Sequence, residues 1–319
     1  MRAAFQRAHR TIIGIYLRIA CRIWWRLPVL LRSFSMFVAI GTHLHSLVLR
    51  YGERRQNHST FFLRNRPELE LIKRLASDAA HGATLRVAVF ACSKGAEVYS
   101  IASTLRCARP DLTINTRGID ISREILDFAS SGIYSVRAAD NQALSGAVST
   151  EELQLNWYTQ KDQRGASIVC RMSESERDMM FDREGDYLRV KSCMRGGISW
   201  HCADAADREL VSRLGHHDMV IANRFLCHMR PAAAERILHS IAQMVKPGGY
   251  LFVSGIDLDV RERVAIGSNW KPVTELMHEI HEGDPSLRNG WPFDYWAKEP
   301  FQPQRKNAAF RYAGAFQVQ

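Results

Sequence analysis

The stretch "VFACSKGAEVYSIA", residues 89–102, decides the fold. Val89 and Phe90 close a short apolar run, "TLRVAVFAC" (84–92), with the length and composition of a buried strand. Gly95 marks a tight loop, and a helix follows from about Ala96 to Arg106. The same unit recurs down the chain. "TINTRGIDIS" (113–122) reads as a second strand followed by the helix "REILDFASSG", and "HHDMVIANRF" (216–225) as a third strand. "PAAAERILHSIAQMV" is a helix with proline in its first turn, and "KPGGYLFVSG" supplies a turn and a fourth strand. Upstream, "ELELIKRLASDAA" is amphipathic, with Leu69, Ile72 and Leu75 on one side. Strands alternating with helices predict an α/β fold, a doubly wound parallel sheet covered on both faces.

In such a sheet ligands bind beyond the carboxyl ends of the strands, and the loop after the first strand makes the contact. A pyrophosphate needs several glycines, so that backbone N–H groups can approach it at a helix N-terminus. Here the loop has one, Gly95, and Glu97 follows where it would repel phosphate. A carboxylate there suits a cationic or hydroxyl-bearing ligand. Asp120 ends the second strand, 25 residues after Gly95, placed to accept hydrogen bonds from ribose hydroxyls. S-adenosylmethionine meets both demands: it has a ribose, a sulfonium, an amine and no phosphate. Glu97 and Asp120 are then expected to face one ligand. On the loop alone the plain reading stays open, with Gly95 a turn residue and Glu97 a helix cap.

The loop has company. "ACSKGAEVYS" resembles the signature A-G-C-S-x-G-E-E-P-Y-S of CheR-type chemotaxis-receptor methyltransferases, S-adenosylmethionine-dependent protein-glutamate O-methyltransferases. "GIDISREILDFASSGIYS" is similar to that family's T-D-I-S-x-x-x-L-x-x-A-x-x-G-x-Y, and "NHSTFFLRNRPELELI" to its N-x-T-x-F-F-R segment. "FDREGDYLRVKS" fits its small hairpin, and "DMVIANRFLCHM" followed by "KPGGYLFVSG" fits its C-R-N-V-L-I-Y-F and late P-G-G strand. Five motifs in order across residues 57–256 imply a mostly parallel, seven-stranded, Rossmann-like methyltransferase sheet. They imply S-adenosylmethionine as cofactor and S-adenosylhomocysteine as product.

Carried over residue by residue, the resemblance places cofactor contacts at Asn57 and Ser59, the latter where the family has Thr. Leu63 occupies the place of the family's arginine and Arg64 follows it. Gly95, Glu97 and Asp120 match the loop glycine, the acid near the methionine amine and the ribose-binding acid. "CADAAD" sets Asp204 and Ala205 where the family has an Asn-Leu pair beside the adenine, and a carboxylate can accept the adenine amino hydrogen bond. The fourth motif departs from the family. Its Arg-Asn pair is reversed as Asn223-Arg224, and His228 stands for the tyrosine near the methyl group. His228 is a half-buried strand-end histidine on one reading and an acceptor-side base on the other.

The net charge of +10 is unevenly placed. Residues 1–55 hold ten arginines, no lysine and one acid, Glu53, so this arm carries nearly all of the excess. Arg18, Arg22 and Arg26 repeat along one helix face, Ile15, Ile19 and Ile23 line a neighbouring stripe, and Pro28 ends or kinks the helix. Three readings remain open for the arm: a helical subdomain on the body, a basic amphipathic segment touching a membrane surface or acidic partner, and a membrane anchor. The sequence divides into this basic helical segment, 1–56, and a methyltransferase domain, 57–319, with a hairpin insertion about 180–200. Seven cysteines without a C-x-x-C pair argue against zinc and disulfides and fit a cytoplasmic protein.

The expected activity is methyl transfer, to a carboxylate of a protein glutamate or a small-molecule acid. A hydroxyl or amine acceptor, and a weakly catalytic cofactor-binding module docked by its arm, are the alternatives. No aromatic-basic motif supports nucleic acid as a partner. Towards the C-terminus "NWKPVTELMHEI" reads as a helix, and the last residues as an antiparallel strand. Trp291, Phe293, Tyr295 and Trp296 either cover the acceptor mouth or pack as core.

Overall fold

The computed structural model describes residues 2–51, 60–136, 167–285, 290–295 and 298–319, with side chains from Ile12 onward. Asn57, Ser59 and Trp296, and most of the polar stretch after residue 136, lie outside the described residues. Among those described, the N-terminal arm comprises α1 (Arg2–Arg26), α2 (Val29–Arg32) and α3 (Ser35–Tyr51). The body begins with α4 (Arg66–Leu75), β1 (Thr84–Phe90), α5 (Ala96–Ala108), β2 (Thr113–Asp120), α6 (Arg123–Ser131) and β3 (Ile133–Ser135). It continues with α7 (Glu174–Met180), β4 (Phe181–Glu184), β5 (Tyr187–Val190), α8 (Ser192–Arg195), β6 (Ile198–Cys202), α9 (Leu210–Leu214) and β7 (His217–Asn223). Then come α10 (Pro231–Ala242), β8 (Val245–Ser254), α11 (Leu258–Gly267), β9 (Lys271–Pro272), α12 (Met277–Glu282), α13 (Ala308–Tyr312) and β10 (Ala315–Gln317).

Seven strands form one sheet in the order β6-β2-β1-β7-β8-β10-β9. β6, β2, β1, β7 and β8 run parallel, and β10 returns antiparallel beside β8. Because side chains alternate along a strand, each central strand serves two cores. Val87 and Val89 of β1, with Met219 and Ile221 of β7, face α4 and α5. Ala88 and Phe90, with Val220 and Ala222, face α10 and α11. Both faces are thus covered, as expected of a doubly wound sheet.

Local chemistry sets the helix ends around the site. The Asn65 side chain accepts the Glu68 N–H at the start of α4, with Pro67 in the first turn. Ser122 caps α6 in the same way, and Gly132, at φ 65°, ends it. The hairpin β4–β5 pairs with β3 into a small antiparallel sheet whose Tyr134, Phe181 and Leu188 pack around Phe62. Sequence periodicity missed β3 because three residues carry no pattern. It also missed α7, although Ser173 and Glu176 form a capping box there.

One expectation is overturned. "NWKPVTELMHEI" is a helix only from Met277; Lys271 and Pro272 instead pair with Gln317 and Phe316 at the sheet edge. Pro272 lacks the N–H a helix needs, and the Val273 N–H donates to Ala315 O (2.9 Å), so strand pairing outweighs the helical spacing.

The arm rests on the body. Leu17, Cys21 and Trp24 of α1 and Leu44 and Val48 of α3 share a buried cluster with Cys227, Phe293 and Tyr295. Gly41 permits this contact, because a Cβ there would stand 2.1 Å from the Trp291 ring. The aromatic residues 291, 293 and 295 therefore pack under the arm. Among the described residues no helix is long and apolar enough to cross a membrane.

Candidate cofactor site

Parallel strands bring the tips of β1, β2, β6, β7 and β8 to one edge of the sheet, where the loop after β1 is tightly held. Ala91 and Ser93 take left-handed φ values of 47° and 50°, unfavourable for side-chain-bearing residues. Asp120 holds the loop in place: one carboxylate oxygen accepts the Ser93 N–H (2.9 Å) and the other the Ser122 N–H (3.1 Å). The Tyr134 hydroxyl donates to Lys94 O (2.6 Å). Gly95 has φ 81°, and a Cβ there would come within 2.8 Å of the Trp200 ring and 3.0 Å of the Ala129 Cβ. Glycine is required here by both backbone and space.

From the first turn of α5, Glu97 reaches the tip of β7. Asn223 Nδ2 donates to Glu97 Oε1 (2.8 Å) and also to Glu68 Oε1 (2.7 Å) from α4. The Ser254 hydroxyl at the tip of β8 donates to Asn223 Oδ1 (2.8 Å) and fixes the amide's orientation. Burial, then the neighbouring Glu97 charge, push the Glu68 carboxyl up to about 8, so Glu68 keeps its proton at neutral pH. Burial also pushes Glu97 up, while Arg64, Asn223 and Arg224 pull it back. Arg64, pushed down to about 10 by burial and by Arg224, remains cationic. Arg224, left-handed at φ 62°, pairs with Asp284, which Arg171 also holds at 3.0 Å.

These groups line one cleft of about 640 Å³, counted out to open solvent, with Arg261, His281, Lys298 and Tyr312 across it. Of the residues marked in the sequence, Arg64, Glu97, Asn223 and Arg224 come together here. Glu68 was missed, yet it had a signal. It lies three and four residues before Leu71 and Ile72, which puts its carboxylate on the buried face of α4.

Asp120 does not line this cleft; the expectation that it shares a cavity with Glu97 is corrected. It stands one strand over, bound to the loop that carries Gly95. Asp204 is exposed after β6 and accepts the Ala206 N–H (2.8 Å), with Ala205 half-buried beside it. His228 also lies outside the cleft, in the turn after β7, its Nδ1 3.3 Å from the Tyr295 hydroxyl beneath the arm. The strand-end reading of His228 matches that position.

The donor set suits S-adenosylmethionine. Glu97 suits an ammonium or a sulfonium, and Arg64 suits the carboxylate of the same amino-acid end. At the next tips, Asp120 uses one acceptor site of each oxygen and keeps others for hydroxyls. The exposed Ile121 beside it offers an apolar face for a base, near the Asp204–Ala205 turn. Glu97, Asn223 and Arg64 would hold the methionine end, and Asp120 the ribose.

Comparison with known proteins agrees. Residues 57–168 match the family described as "CheR methyltransferase, SAM binding domain". Over that stretch the chain is similar to a CheR-type S-adenosylmethionine-binding domain. Residues 172–253 match a second family, described as "Methyltransferase domain". The chemotaxis protein methyltransferase 1 of Vibrio cholerae is 26% identical over 62% of this chain and 63% of its own length. The chemotaxis protein methyltransferase of Vibrio anguillarum is 24% identical over the same shares. The chain thus spans under two thirds of the curated relatives' length. A solved N-methyltransferase, NodS from Bradyrhizobium japonicum with S-adenosylhomocysteine, superimposes with TM-score 0.31 and 15% identity over 62% of this chain and 65% of its own. That likeness is too slight to carry an argument.

Proposed function

We propose that this protein transfers the methyl group of S-adenosylmethionine to a carboxylate oxygen, of a protein glutamate or a small-molecule acid. The observation that carries the reading is the charge of the cleft. Arg64, Arg224, Arg261 and Lys298 line it against Glu97 and Asp284, with Glu282 paired to Lys298 at 2.9 Å, and Glu68 is protonated at neutral pH. The surplus of positive charge favours an anionic acceptor. Such an acceptor, with an ordinary pKa of about 4.3 for Glu, needs no base. His281, the histidine in the cleft, is a poor base: burial pushes it down to about 4, and its Nε2 donates to Glu299 O (2.8 Å).

When bound, S-adenosylmethionine supplies an electrophilic methyl group. The side chains described here hold and align: Glu97 and Asn223 orient the amino-acid end, and the cationic groups draw in the acceptor. Alignment at near-attack distances of about 3–3.5 Å accounts for most of the expected acceleration. The chemotaxis relatives support a protein acceptor. The test is transfer of labelled methyl from S-adenosylmethionine to acidic proteins and small acids. Label released as methanol by base is the expected result; base-stable label on nitrogen or a hydroxyl contradicts it.

A further inference from the structure

The buried face of α1 accounts for only part of its apolar surface. While Leu17, Cys21 and Trp24 turn to the body, Ile12, Ile15, Tyr16, Ile19 and Ile23 form a second stripe, roughly opposite, that faces solvent. Val29 and Leu30, at the turn into α2, are 76% and 80% exposed and extend it. Eleven of the fifteen large hydrophobic residues exposed among those described fall between Ile12 and Ile40. Arg18, Arg22 and Arg26 run along one border of the stripe, all exposed. A continuous apolar stripe of this kind marks a contact surface.

We propose that α1 and the α1–α2 turn dock this stripe onto an anionic lipid surface. The helix would lie in the interface with its isoleucines in the acyl boundary and its arginines on the headgroups. Charge selects this occupant. The chain has no acid before Glu53, so a second copy seated on the same stripe would set its arginines against these without a partner from the arm. Spanning is not the mode, since no described helix is long and apolar enough to cross. Apolar insertion and basic attraction together give the two signals that stable surface binding needs.

The test uses the full chain and sedimentation with vesicles of phosphatidylcholine alone or mixed with phosphatidylglycerol, at low and high salt. Wild type is expected to pellet with the anionic vesicles at low salt, and to remain largely in solution with neutral ones. The double variant Ile19→Glu/Ile23→Glu and the triple variant Arg18→Gln/Arg22→Gln/Arg26→Gln should each lose at least about tenfold in affinity. These residues are exposed, and thermal unfolding at the wild-type temperature shows that each variant folds. The proposal fails if wild type ignores anionic vesicles, binds neutral ones equally, or is unaffected by the isoleucine substitutions. It also fails if wild type forms a dimer that Ile19→Glu/Ile23→Glu abolishes, which assigns the stripe to a second copy.

Discussion

At Asn223 one amide nitrogen serves two carboxyl groups, and that sharing sets the chemistry of the cleft. A buried acid whose pKa is raised to about 8 contributes stability that is present below its unfolded value, near 4.3, and lost as pH rises through 8. Glutamine mimics the protonated form. Glu68→Gln should therefore unfold like wild type at pH 5 and gain on it by a few kcal/mol by pH 9, read from chemical denaturation at each pH. Asp120→Ala removes the acceptor of two amides, that of left-handed Ser93 in the β1 loop and that of Ser122 at the start of α6. A loss of about 1–3 kcal/mol in stability is expected, together with weakened S-adenosylmethionine binding, seen in thermal melts with and without ligand. Glu97 and Asp120 were legible in the sequence because each follows a strand at a fixed place in a motif. Their separation into a cleft and a loop support was not, since it depends on where Ser93 turns its amide. Arg64 reaches the cleft despite its one-residue displacement in the sequence.

At the scale of elements, the β1 loop is the least replaceable part. Gly95→Ala meets both an unfavourable φ of 81° and the Trp200 ring, so about 1–3 kcal/mol should be lost and α5 shifted away from Asn223. Urea unfolding of that variant beside Gly185→Ala checks the size of the steric part, because Gly185 is also left-handed but has open space around it. The strands and helices that form the main sheet were readable from alternation and from Pro and Gly punctuation. The shortest elements, β3 and β9, were not, because their pairing with β5 and β10 supplies what their own few residues lack. The same pairing explains why residues 271–272 left a helical pattern.

Across the whole molecule, the arm and body meet through Trp291, which packs edge-on to Trp24 at 5.4 Å and fills the space over Gly41. Trp291→Ala should cost about 3–5 kcal/mol if arm and body unfold together, followed by denaturant unfolding and by protease access to α1–α3. The charge asymmetry of the arm was plain in the sequence; which face it buries was not, since both faces are apolar. The account rests above all on a methyl-donor site beside Glu97. Calorimetric titration of S-adenosylmethionine into the full chain and into Glu97→Gln tests it most directly. The account predicts saturable one-to-one binding by wild type and at least about tenfold weaker binding by the variant, from loss of a charge-assisted contact. Equal affinity in the two proteins, or no binding heat from wild type at millimolar ligand, would contradict it.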